Sequence, residues 1–136
     1  MMVLVDSSVW IEFFNPTPSI SLSPLELLIQ ERQVATCLPI RAEVLSGNIS
    51  PANFRILTLA FDAMDFVDLD WNSPYPWNLI VHMSQAARRK KAGMPGIIDR
   101  MILACCQEKK IPLWTLDKKL RKFALALKLS LFSQDF

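Results

Sequence analysis

The sequence predicts an α/β fold in which a parallel sheet of four or five strands is flanked by helices on both faces, and three observations predict it. Short apolar runs, mostly β-branched at the start of the chain, fall at residues 3–5, 34–38 and 113–116 and read as buried strands. Segments with apolar residues at helical spacing separate them, and the connections are too long for hairpins. No internal repeat, linker or low-complexity stretch breaks the pattern, so residues 1–136 are expected to form a single domain.

Each element carries its own punctuation. Asp6, Ser7 and Ser8 follow the first strand and supply side chains able to cap a helix over residues 9–14. After a Pro-containing turn at 15–18, Ser23-Pro24-Leu25-Glu26 has the form of a capping box with proline at the first helical position, opening a helix that reaches about Glu31. The second strand is expected over 34–38, closed by Pro39, with a short helix over 40–45 ended by Gly47. Ser50-Pro51 begins another helix, with Phe54, Leu57 and Phe61 at helical spacing. Phe66, Val67 and Leu69 suggest a third strand, and a long helix follows the turn Asn72-Ser73-Pro74, from about residue 76 to 91, until Gly93 and Pro95 halt it. Ile98, Met101, Ile102 and Cys105 mark one face of the next helix, with Asp99 beside that face. A fourth strand at 113–116, a basic helix over 118–127 and a fifth strand at 129–132 complete the reading. In such sheets ligands bind beyond the carboxyl ends of the strands, where Asp6 and Asp117 both fall.

Hydrophobic residues make up 51% of the chain and the mean hydropathy is +0.25, which points to apolar surface covered by a partner or a second copy. There is no apolar run long enough to span a membrane and no secretory signal pattern at the N-terminus, so a cytoplasmic protein is expected. Cys37, Cys105 and Cys106 lack metal-ligand spacing and read as buried free thiols. The net charge of +2 conceals an asymmetry: three basic side chains against nine acids in residues 1–87, twelve against four in residues 88–136. That division favours a polyanion partner on one face, although a solvated helix face explains any single lysine.

Taken singly, the acids have ordinary structural readings. Asp6 and Asp117 can cap the helices that follow them, and Glu43 can be a solvated acid on a short helix. Asp99 resists this, because Ile102 and Leu103 would surround its carboxylate with apolar side chains, which is costly without a cation or donors. Four converging carboxylates would need counter-charge, and Mg²⁺ or Mn²⁺ suits oxygen ligands, holds phosphate and activates water. A pair of such ions about 3.5–4 Å apart would stabilise the entering and leaving oxygens of a phosphodiester displacement, which is nuclease chemistry. His82 is the only histidine, which removes two-histidine RNA cleavage, and it reads as a structural helix residue. Neither GxGxxG nor GxxxxGK[ST] is present.

These residues together resemble the PIN domain, and within it the small ribonuclease toxins of VapC-type toxin–antitoxin modules. VDSSVWIEFF resembles the family's opening strand-and-acid motif, LPIRAEVLSG its glutamate motif, GIIDRMILACC its helical aspartate motif, and LWTLD its last strand with Thr-x-Asp. All four occur in order across the whole chain. The resemblance implies a PIN-like three-layer sandwich whose acidic pocket binds Mg²⁺ or Mn²⁺ and cleaves RNA, with Asp6, Glu43, Asp99 and Asp117 as the metal-binding and catalytic acids. It further implies that Thr115 is the hydroxyl residue near the pocket, with Ser7 orienting Asp6 or a water, and that the protein dimerises and is held inactive by a cognate antitoxin.

The chain also departs from the family. Many relatives place an acid two residues after the Thr-x-Asp aspartate, where this sequence has Lys119, which puts a second metal in doubt. Arg100 is not expected to neutralise its neighbour Asp99, since adjacent helix residues point apart, and is a candidate phosphate contact. Lys118, Lys119, Arg121 and Lys122 follow Asp117 directly and are candidate RNA contacts, as are Arg88 and Arg89, whose place at a helix end also suits the helix dipole. Trp71, Tyr75 and Trp77 could stack bases or meet the antitoxin, with packing the plainer role. A receiver domain would carry paired acids after its first strand and a dehalogenase-type phosphatase an aspartate at position 8, where serines stand. A catalytically silent PIN-like module that binds RNA or protein is the remaining alternative.

Overall fold

The computed structural model describes residues 1–133. Strands β1 (Val3–Val5), β2 (Val34–Thr36), β3 (Asp65–Phe66) and β4 (Leu113–Trp114) form one sheet in the order β3-β2-β1-β4. Every pairing is parallel, with Val3 opposite Val34, Leu4 opposite Leu113, and Ala35 opposite Asp65. Around it lie helices α1 (Ser7–Phe13), α2 (Ser23–Gln30), α3 (Leu38–Leu45), α4 (Pro51–Asp62), α5 (Pro74–Arg89), α6 (Ile97–Lys109) and α7 (Lys118–Ala126). The fold is therefore the α/β parallel-sheet architecture that the alternating pattern predicts.

Parallel pairing requires crossover connections, and helices that cover both faces of a sheet bury its strands completely. All residues of β1, β2 and β4 are buried, consistent with runs that are apolar rather than alternating. Trp10 of α1 anchors the packing against Phe61 of α4, with ring centroids 5.3 Å apart in an edge-to-face arrangement. Ser50 caps α4 by accepting from the Asn53 amide, as Ser50-Pro51 predicts.

Several local expectations change. The Ser23 side chain makes no cap and Ser23 is itself the first residue of α2, so the capping box does not form; Leu22 occupies the N-cap position instead. Pro39 does not close a strand. It sits in the first turn of α3, where a missing amide hydrogen does no harm. The third strand begins at Asp65, one residue before its predicted start, and its ladder ends with the Val67 amide on the Thr36 carbonyl at 2.9 Å. In place of a fifth strand, Leu131 makes a single parallel bridge to Leu113. Phe54 shares its helix with buried Leu57 and Phe61 but is itself exposed.

The turns also carry an unusual choice of residue. Arg32, Lys91, Lys110 and Lys128 all have positive φ, a conformation that costs an L-residue about 1 kcal/mol and is normally given to glycine. Lys110, at φ 56 and ψ 47, ends α6 in this way. Lys110→Gly is expected to raise the unfolding free energy by about 1 kcal/mol in urea titration. A variant less stable than the wild type would mean that the lysine side chain holds that turn.

Candidate metal centre

Four acids were expected at the carboxyl end of the sheet, and the fold brings three of them into one group. Asp6 follows β1, Glu43 lies on α3 beyond β2, and Asp99 sits in the first turn of α6. One carboxylate oxygen from each lies within 4.8 Å of the others. Asp6 is buried at 3% exposure, Asp99 is half-buried and Glu43 is exposed. Three negative charges at such separations repel by on the order of 1–3 kcal/mol per pair, depending on solvent screening.

Asp6 occupies the N-cap position of α1 but does not cap it with its side chain. Its backbone carbonyl accepts from the Val9 and Trp10 amides and its own amide donates to the Trp114 carbonyl, so the carboxylate is left for other work. Oδ2 accepts two hydrogen bonds, from Thr115 Oγ1 at 2.7 Å and from Ser8 Oγ at 2.9 Å. Each hydroxyl has a single proton, so both protons point at Oδ2 and the 3.3 Å approach between the two hydroxyls is not a further bond. The hydroxyls are held in turn by backbone amides, Leu116 donating to Ser8 and Asp117 donating to Thr115. Oδ1 is buried and has no partner among the described residues. A bare, buried oxygen on a carboxylate that stands among other carboxylates is the feature a hard divalent cation would satisfy.

Thr115 thus stands against Asp6, whereas the serine that reaches that carboxylate is Ser8 and not Ser7. Ser7 is the first residue of α1, and the helical turn carries the residue after it toward β4. Ser8 was legible only as an alternative cap.

The proton affinities of Asp99 and Glu43 carry the mark of crowding. Burial, then Asp6 and Asp117, raise the Asp99 pKa above the ordinary carboxylate range. Burial, then Asp6 and Asp99, raise that of Glu43. The first turn of α6 favours an anion at Asp99, but desolvation and neighbouring charge outweigh it. No cation among the described residues pairs with the group. The Arg100 guanidinium donates to Ser84 Oγ and the Gly96 carbonyl, and the one ion pair among the described residues, Arg41 with Asp62 at 3.1 Å, lies elsewhere.

Asp117 stands apart from this trio. It caps α7, Oδ1 accepting from the Lys119 and Leu120 amides at 2.9 and 3.3 Å, yet it lies close enough to raise the Asp99 pKa. Around it Lys118, Lys119 and Lys122 are exposed, while Arg121 donates to the Thr115 carbonyl at 3.4 Å. Arg88 and Arg89 are exposed in the last turn of α5, and Arg88 lines a groove of about 290 Å³ with Trp77, Val81, Ile97 and Arg100. The Trp71 and Trp77 rings lie 5.7 Å apart and donate to Asp68 and to the Trp71 carbonyl respectively, so they staple the loop before α5. Tyr75 donates to Glu108. His82 is exposed on α5. All three cysteines are free and buried, with the Cys37 thiol pushed up by its hydrogen bond with Cys105 and the Cys106 thiol by burial.

Residues 3–126 match the PIN domain. The chain belongs to the PIN-domain family. Ribonuclease VapC11 of Mycobacterium tuberculosis is 29% identical over 105 residues, spanning 76% of this chain and 77% of that protein, and VapC ribonuclease Mb1587 of Mycobacterium bovis matches to the same extent. Among solved structures, FitAcB from Neisseria gonorrhoeae superposes with a TM-score of 0.68 at 18% identity over 97% of each chain. VapBC2 from Rickettsia felis, bound to a DNA fragment from their promoter, gives 0.69 at 17% identity over 97% of this chain and 98% of that one. At those identities the structural likeness establishes the fold.

The raised pKa values fix the sign of a pH effect in metal-free protein. Folded Asp99 and Glu43 keep protons that the unfolded chain has already released, so the contribution of these two groups to stability is fullest below the ordinary carboxylate pKa and is lost as pH rises through the raised values. Asp99→Asn should therefore be more stable than the wild type at neutral pH in chelator, by about 1 kcal/mol or less because the group is partly solvated, and should show a shallower decline. Denaturant titrations across pH measure this, and a variant less stable than wild type at neutral pH would contradict the crowding.

Proposed function

We propose that this chain is a divalent-metal-dependent endoribonuclease, the toxin of a toxin–antitoxin pair, that hydrolyses RNA phosphodiester bonds at its acidic pocket. The observation that carries the reading is the meeting of the Asp6, Glu43 and Asp99 carboxylates within 4.8 Å of one another, at an Asp6 whose Oδ1 has no partner among the described residues. These three residues would hold Mg²⁺ or Mn²⁺, with Asp117 beside them as the fourth acid of the set. The bound ion supplies a Lewis acid that lowers the pKa of an attacking water and offsets charge on the phosphate.

The remaining steps belong to the protein's own groups. Ser8 and Thr115 hold Oδ2 of Asp6, which restrains the carboxylate and leaves Oδ1 without a partner among the described residues. Lys118, Lys119, Arg121 and Lys122, which follow Asp117 on α7, would bind RNA phosphates, with Arg100, Arg88 and Arg89 as further contacts on α6 and α5. An RNA bound through phosphates alone is gripped without regard to sequence, and binding should weaken steeply with salt.

The names of the relatives and neighbours support a partner protein and a ribonuclease activity for this chain, and cytoplasmic residence accords with both. A groove of about 490 Å³ along α4, lined by Phe54, Arg55 and Leu59, offers apolar surface for an antitoxin segment. Exposed Trp77, Val81, Ile97 and Ile98 on α5 and α6 suit a second copy of the chain, a homodimer. No described helix is long and apolar enough to cross a membrane.

RNA cleavage by purified protein tests the proposal. Activity should require added Mg²⁺ or Mn²⁺, vanish in chelator, and drop by at least about a hundredfold in Asp6→Asn and Asp99→Asn, since each removes a ligand. Cleavage that survives chelation and both substitutions would overturn the mechanism, and absence of cleavage under every metal would favour the silent binding module.

A further inference from the structure

We propose that Asp68 is a positioning residue for the acidic pocket, clamping the first turn of α3 so that Glu43 stays against Asp6 and Asp99; this rests on the reading of that pocket as a divalent-metal site. The starting point is a helix that lacks its own cap. Cys37 holds the N-cap position of α3 and makes no side-chain hydrogen bond there, although α3 is only eight residues long. Asp68, thirty residues downstream of Leu38, takes over: the Leu38 amide donates to Oδ1 at 3.1 Å and to Oδ2 at 3.0 Å. A carboxylate at that end also faces the positive pole of the helix dipole.

The clamp is itself fixed from outside. The Trp71 indole donates to Asp68 Oδ1 at 3.0 Å, the Trp77 ring lies against Trp71, and the Trp77 indole donates to the Trp71 carbonyl at 2.8 Å. One residue before Asp68, the Val67 amide bonds the Thr36 carbonyl and ties the segment to β2. Asp68 is therefore anchored both to the sheet and to the aromatic loop that precedes α5.

Glu43 needs such a clamp because its two companions repel it. Its carboxylate meets those of Asp6 and Asp99, with no cation paired to the group among the described residues, so the electrostatic force acts to push Glu43 away from them. Pro39, Ile40 and Val44 bury one side of the helix, whereas Leu38, whose amide Asp68 accepts, is itself 55% exposed. The other polar tie on α3, Arg41 to Asp62, is an exposed pair of the kind that contributes little. The bidentate Asp68 contact is thus the polar restraint on the first turn of α3, beside the packing of Pro39 and Ile40.

Calorimetric titration with Mn²⁺ tests this on the intact protein. Asp68→Ala should weaken Mn²⁺ binding roughly tenfold, the scale at which residues behind metal ligands act, while Asp68→Asn, which keeps an acceptor for the Leu38 amide, should bind within about threefold of wild type. In a Glu43→Gln background the Asp68→Ala change should weaken binding by less than about twofold, because the residue acts through Glu43. Ser50→Ala, which uncaps α4, should lower stability without changing the Mn²⁺ dissociation constant. If Asp68→Ala does not fold, Asp68→Ser carries the same tenfold expectation. Unchanged affinity in the Asp68 variants, or an equal loss with and without Glu43, overturns the positioning role alone. Wild-type protein that takes up no Mn²⁺ overturns the metal-site reading and this role with it.

Discussion

One oxygen atom constrains the rest of the site. Oδ1 of Asp6 is buried without a partner, and two other carboxylates stand within 4.8 Å of the group it belongs to. An anionic oxygen removed from water and given no donor is among the costliest arrangements a protein can hold. Here it persists because everything around it is over-determined: β1 lies in the middle of the sheet, Trp114 accepts the Asp6 amide, and two hydroxyls engage the other carboxylate oxygen. The parallel sheet supplies the geometry. Its carboxyl edge collects the residues that follow β1, β2 and β4, and α6 delivers Asp99 to the same edge.

The site therefore holds strain that the core must absorb. Large side chains such as Trp10, Phe61, Trp114 and Phe123 are fully or nearly fully buried, and the apolar contacts they make offset carboxylates that would rather separate. Polar support is placed where it opposes that separation. Ser8 and Thr115 act on Asp6, Asp117 is committed by its cap on α7, and Asp68 acts on the start of α3. Under the metal-site proposal this is a division of labour, with one set of groups to bind and another to hold the binders, as suits a site that must be rigid before its ligand arrives. The left-handed lysines and arginine at the helix ends lie outside that logic, and nothing in the structure explains why they replace glycine.

The sheet and most helices were legible because their signals are local. Residues 3–5 are an uninterrupted apolar run, residues 113–116 are apolar but for Thr115, and Ser50-Pro51 marks a helix start by its own chemistry. The acids were legible as candidates because Asp6 and Asp117 end strands and Asp99 stands among apolar neighbours, and the order of motifs linked Glu43 to them. What could not be read was anything set by contacts between distant segments. Ser8 bonds the Leu116 amide and Asp68 bonds the Leu38 amide, pairings that no spacing in the sequence announces. The capping box at Ser23 failed for a related reason: the motif offers one possible start, and the chain began its helix a residue earlier. Asp117 shows the limit of residue type, since the same carboxylate reads equally well as cap or ligand, and it does cap α7.

The central claim is that Asp6 Oδ1 is left bare for a hard cation. Crystals soaked in Mn²⁺ and measured for anomalous scattering test it directly. The account predicts one strong peak about 2.0–2.2 Å from Asp6 Oδ1, with carboxylate oxygens of Glu43 and Asp99 in the same coordination sphere. Saturating Mn²⁺ with no peak there, or a peak held by other residues while Oδ1 stays unligated, would contradict it.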